Sequence, residues 1–205
     1  ALAVYVSEYL PSDKRARVLG VLELFEGIPT VVFGYFALLF VTPLLQKVIP
    51  GLSLFNPLSA GLVMGFAILP YVSNVAADAM QSVPRSIREA AYALGARPYE
   101  VALKVVLPAA LSGVIAAIIL AASRAIGETM IVAIAAGQRP TLTLDPRETI
   151  ATMTSYIVQA ATGDQPTGST AYYALFAVGF TLFLLTLALN VLAQYIVERY
   201  RERYE

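Results

Sequence analysis

The chain contains no cysteine and no histidine among its 205 residues. Those absences exclude disulfides, thiolate or imidazole metal ligands, cysteine nucleophiles and histidine-based acid–base catalysis. Charge is scarce too: Asp, Glu, Lys and Arg make up 14% of the residues and cancel to a formal charge of zero. Net charge therefore offers no basic footprint for nucleic acid, and only the placement of the charges is informative. No glycine-rich phosphate loop ending in Gly-Lys-Ser/Thr occurs, so this chain is not expected to bind and hydrolyse ATP by itself. Its start, Ala-Leu-Ala-Val-Tyr-Val, has neither a basic n-region nor an initiator Met. It reads as the tail of a hydrophobic segment, and at least one upstream helix is expected.

What is abundant is apolar. Hydrophobic residues make up 58% of the chain and the mean hydropathy is +0.70, values that describe an integral membrane protein. Several apolar segments approach the roughly 20 residues that cross a hydrocarbon core of about 30 Å, and without strand-like alternation only helices satisfy their backbones there. The expected fold is an all-α, polytopic transmembrane helix bundle.

Complete spans are expected at about 28–45, 58–77, 109–136 and 172–197. Pro29 suits the first turn of the first, and Pro70 should kink the second. A basic turn at 11–17 leads into a short interfacial segment, 18–27, carrying Glu23 and Glu26. The 78–108 excursion carries helix signals and reads as two short helices: Pro84 in a first turn, Ser86 and Glu89 at capping-box spacing, Gly95 as a stop and Pro98 as a second start. A second excursion, 137–171, holds an amphipathic stretch at 147–161 and the turn-rich GDQPTGS.

Ten Lys and Arg fall in the 11–17 turn, the 78–108 excursion and the C-terminal tail, against three (Lys47, Arg139, Arg147) in the other loops. The positive-inside rule then places 78–108 and the C-terminus in the cytoplasm and 137–171 outside. The tyrosines and arginines of 195–204 read as an interface anchor.

Inside the 109–136 span lies SRAIGETM, with Arg124 and Glu128 amid apolar residues. A charge at a span centre costs roughly 2.5–3.5 kcal/mol on insertion scales, so two such charges are paired or used. At about 1.5 Å per residue, Arg124 sits roughly 22 Å along its helix, near the midplane. Arginine presents five donors in a planar, permanently charged fork that matches an oxyanion. The bland alternative is an ion pair with Glu128 one turn on, in the order less favourable to the helix dipole. Ser123 and Thr129 could line the same path or bond a preceding carbonyl. Asn74, Tyr71, Glu23 and Glu26 need no substrate, lying near water or headgroups.

The 78–108 segment reads EAAYALG, nine residues, then VVLP, with Glu89, Ala90, Ala91, Gly95, Leu107 and Pro108 in the pattern. It resembles the EAA loop of ABC importer permeases, with Val105 where the family carries Ile. Within that family SRAIGETM resembles the Arg-Ala-Leu-Gly-Glu-Thr-Met stretch of phosphate importer permeases, and 26–34, 145–153, 163–169 and the terminal VERYRERYE are similar to their C-type subunits. The A-type sister subunits share the EAA loop and the Arg-x-x-Gly-Glu-Thr pattern.

The resemblance implies a type-1 importer permease domain over 1–205, N-terminally incomplete, in the cytoplasmic (inner) membrane of a prokaryote. It implies a transport subunit, not an enzyme, that forms half of a phosphate pathway lined by Arg124, Glu128, Thr129 and Ser123. The other half is an A-type sister permease, and an extracytoplasmic phosphate-binding protein delivers substrate, 137–171 being the segment placed to meet it. ATP and Mg belong to a partner ATPase dimer docked at the EAA loop. Alternatives are a sulfate or molybdate ABC permease, the sister subunit itself, or an ion-coupled secondary carrier in which Arg124 and Glu128 serve binding and proton coupling.

Overall fold

The structure, a computed structural model, describes residues 1–163 and 166–200, excepting the side chains of Ser12 and Tyr200. The described residues form helices and connecting turns and include no strand. The helices are α1 (2–9), α2 (Ser12–Glu26), α3 (Thr30–Gln46), α4 (Pro57–Gln81), α5 (Arg85–Ala93), α6 (Pro98–Ala109), α7 (Leu111–Gly127), α8 (Met130–Ala135), α9 (Met153–Thr162) and α10 (Thr170–Tyr200). Asp164 and Gln165 of the GDQPTGS turn, and 201–205 of the tail read as an anchor, lie outside the described residues.

At 25 residues α4 is about 37 Å long at 1.5 Å per residue, enough to cross a bilayer. Together with Thr170–Arg199 it makes, among the described residues, two helices long and apolar enough to span, or up to four if α2 with α3 and α6 with α7 each form one broken span.

The chain divides into two compact units. The first comprises Ala1–Glu26, Leu69–Ser123 and the described residues from Leu189 on. Its core is Met80, Val83, Val101, Val106 and Ala110, with Val4, Ile87, Ala91 and Ala96 packed around it. Here the basic turn and the interfacial segment prove to be one helix, α2. Arg15 at its start donates from Nε to the Val6 carbonyl at 3.0 Å and from Nη2 to the Ser7 and Leu10 carbonyls, closing the C-terminal end of α1. α7 crosses α4 where a Cβ on Gly113 would lie 2.6 Å from the Ala79 Cβ, so only glycine permits the approach.

The second unit comprises Gly27–Ile68 and Arg124–Ala188. α8 packs on α3 around Phe33, Ala37, Ile131, Val132 and Ala135. Pro29 stands one residue before α3, at its N-cap, not inside its first turn. Gly34 sets the α3–α8 spacing, since a Cβ there would come within 3.0 Å of both the Met130 carbonyl and the Ile134 Cδ1. A fully buried polar set anchors the start of α4: Asn56 caps α4 by accepting from the Ser59 amide at 2.8 Å, and the Thr42 hydroxyl donates to Ser59 Oγ at 2.7 Å. Satisfied in this way, the three residues do not carry the cost of orphaned polar atoms in an apolar core.

Candidate functional site: a broken helix and a two-helix excursion

The 109–136 span is not one helix. α6 ends at Ala109 and α7 begins at Leu111 with a bend of 72° between them; Pro108 lacks the amide that would continue the ladder, and a π turn over Val101–Val106 precedes it. α7 then stops at Gly127, and α8 starts at Met130. The break falls on Glu128 and Thr129, in the middle of SRAIGETM.

At that break the two charges serve different helix ends. Arg124 is exposed in the last turn of α7, where a cation offsets the partial negative charge of the C-terminal carbonyls. Glu128 turns the other way. Its Oε1 accepts from the amides of Thr129 and Met130, each at 3.1 Å, and of Ile131 at 3.4 Å, satisfying the first free donors of α8. Through these three bonds Glu128 acts as the N-terminal cap of α8.

Ser123 is buried on α7. Thr129 donates its hydroxyl to the Gly127 carbonyl at 3.2 Å, the local bond that threonine commonly makes. The Thr154 hydroxyl on α9 donates to the Glu128 carbonyl at 2.9 Å. Sequence reasoning missed Thr154, for which no local signal exists. It also missed the break, although Gly127 followed by an acidic residue is a stop-then-start signal.

In the other excursion two helices form as expected, α5 and the opening of α6. Ser86 and Glu89 do not make a capping box: Pro84 occupies the N-cap of α5, and no side chain caps it. The helix starts two residues earlier than that box requires, so Ser86 falls inside the first turn. The stop at Gly95 is as expected. With φ of 81°, it closes a Schellman turn in which the Gly95 amide bonds the Tyr92 carbonyl and the Ala96 amide bonds the Ala91 carbonyl. Ala91 packs on the core, whereas Glu89, Ala90 and Leu94, the last 90% exposed, face outward. Leu107 and Pro108 sit just before the 72° bend that joins this excursion to α7.

The 147–161 stretch is helical only from Met153, after Thr152 and Ser155 cap each other reciprocally at 2.9 and 3.2 Å. Before it, Arg147 grips Asp145 through Nε and Nη2 and donates its own amide to it, which lowers the Asp145 carboxyl to about 2. Among the described residues no group of three or more Asp, Glu, His or Cys could hold a metal ion.

A membrane helix bundle with a broken, charged helix and a two-helix excursion defines the class. Residues 2–202 match the family described as the binding-protein-dependent transport system inner membrane component, and the chain belongs to that family. It is 31% identical over 197 residues to the probable ABC transporter permease protein YqgH of Bacillus subtilis, covering 96% of this chain and 63% of that one. It is 32% identical over 220 residues to the phosphate transport system permease protein PstC of Xylella fastidiosa 9a5c, covering 97% and 66%. The chain thus spans slightly less than two thirds of the length of these relatives. Its fold is similar to that of a chain of the MetNI methionine ABC transporter in inward-facing conformations, with a TM-score of 0.66 over 95% of this chain and 84% of that one at 16% identity.

Proposed function

We propose that this chain is a transmembrane permease subunit of an ATP-driven phosphate importer, forming half of the pathway beside an A-type sister subunit. The observation that carries the reading is the helix break at Glu128–Thr129 with Arg124 one turn before it. Non-helical backbone at membrane depth is tolerated only where protein buries it or a polar cavity solvates it. A guanidinium at such a point is suited to a tetrahedral oxyanion.

In this reading Arg124 contacts phosphate, Ser123 and Thr129 line the path, and Glu128 keeps the break open by holding the α8 amides. The carboxylate also occupies donors that an anion would otherwise take. Choice of phosphate is supported by SRAIGETM and by the relatives whose names specify phosphate transport.

ATP is hydrolysed on a partner ATPase dimer that docks on the outward face of α5, at Glu89, Ala90 and Leu94, with Ala91 and Gly95 fixing the helix beneath. Leu107 and Pro108 set the bend through which its closure reaches α7. An extracytoplasmic binding protein delivers substrate at 137–171. Uptake of labelled phosphate against labelled sulfate by the complete reconstituted transporter, with and without ATP, tests the reading. ATP-dependent uptake of phosphate alone is expected; sulfate uptake, or phosphate uptake driven by an ion gradient without ATP, overturns it.

A further inference from the structure

Three helices of the first unit meet at one guanidinium. Arg88 lies in α5, next to Glu89, with its side chain 17% exposed, and the Glu8 side chain of α1 is 8% exposed. Arg88 Nε and Nη2 donate to the two carboxylate oxygens of Glu8 at 3.1 and 3.0 Å, a fork-on-fork pair joining residues 80 apart in sequence. Nη2 also donates to the Met80 carbonyl in the last turn of α4 at 2.8 Å, and Nη1 donates to the Val83 carbonyl in the link that follows. Ser7 completes the set by donating its hydroxyl to Glu8 Oε1 at 2.8 Å.

Capping α4 accounts for the bonds to Met80 and Val83, but it does not require Glu8. Burying a carboxylate from α1 carries a desolvation cost that is offset only while the geometry stays bidentate. The arrangement therefore resists sliding. α1, the end of α4 and α5 are held at fixed spacing by one side chain, while Glu89 and Ala90 on the other face of α5 remain open.

We propose that Arg88, clamped by Glu8, is the positioning residue that makes α5 carry α1 and the end of α4 with it as one rigid piece. The inference rests on the docking of an ATPase at α5 and adds how displacement of α5 enters the membrane helices. Arg88 acts through the carbonyls and the carboxylate it holds.

These 205 residues contain no cysteine, so a label can be placed at a chosen position among them. Spin labels on Tyr5→Cys in α1 and Ser86→Cys in α5 are measured in the complete transporter in lipid, without nucleotide and with ATP trapped. One narrow α1–α5 distance, the same in both states, is expected. With Arg88→Gln or Glu8→Gln the distance should broaden and change with nucleotide. Labelled phosphate taken up per ATP should fall by at least about fivefold, the lower end for an allosteric coupling, while the ATPase still co-purifies. The double variant should be no worse than either single one, and Arg88→Lys should fall between, deciding the matter if the glutamine variants do not assemble. A wild-type distance that shifts with nucleotide, or variants that keep the wild-type distance and uptake per ATP, overturn the proposal. Failure of the ATPase to co-purify with the wild-type chain would instead sink the docking reading.

Discussion

Glu8 and Arg88 are 80 residues apart and form a partly buried, bidentate pair. Arg124 and Glu128 are four residues apart on what reads as a single span, yet Glu128 bonds the amides of the following helix. The contrast shows that spacing along a helix decides pairing only while the helix is continuous. Where the ladder stops, orphan amides engage the carboxylate, one of whose oxygens meets three donors at once. The first unit joins α1 and α5 through an ion pair, and the second places its charges at an interruption.

The comparison can be broken from either side. The largest stability effect is expected from Glu8→Gln, which leaves the largely covered Arg88 without its counter-charge and should cost about 3 kcal/mol, the lower end for a buried pair, read as a fall in the thermal midpoint of the complex in detergent. Glu128→Ala orphans the α8 amides and should cost about 1–3 kcal/mol; Glu128→Gln, which keeps one acceptor oxygen, should cost less. If Glu128→Gln proves the more damaging, the amide-capping role is wrong. Gly34→Ala forces the α3–α8 contact apart against a backbone carbonyl and should cost about 1–3 kcal/mol, whereas the same change at the open Gly61 should not destabilise.

The smallest effect belongs to the Asp145–Arg147 turn, which is exposed. Asp145 is lowered from an ordinary 3.8 to about 2, so the stability it contributes is complete above about pH 4 and is lost as pH falls towards 2. Asp145→Asn should remove that dependence while barely moving the neutral-pH midpoint, checked by thermal unfolding across that range.

Much of this was legible in sequence. Composition gave the class, Pro84, Gly95 and Pro98 marked the two-helix excursion, and EAA and SRAIGETM pointed to the family. The glycine stop was readable because one residue type suits a left-handed turn. The α8 boundary was missed despite the Gly127–Glu128 signal, because hydropathy stays high across 109–136 and a window average cannot register a two-residue interruption. Glu8 was unreadable for a different reason: a carboxylate at the end of an apolar segment looks interfacial until a partner 80 residues away closes on it. Asn74 Nδ2 and Glu26 Oε1, 3.4 Å apart across 48 residues, were missed for the same reason.

The central claim is that the guanidinium at the helix break handles the transported anion. Its most direct test is ATP-driven uptake of labelled phosphate by the complete transporter carrying Arg124→Gln, alongside co-purification of the ATPase. The account predicts that uptake is abolished while the ATPase still assembles. Uptake at the wild-type rate by that variant would contradict it.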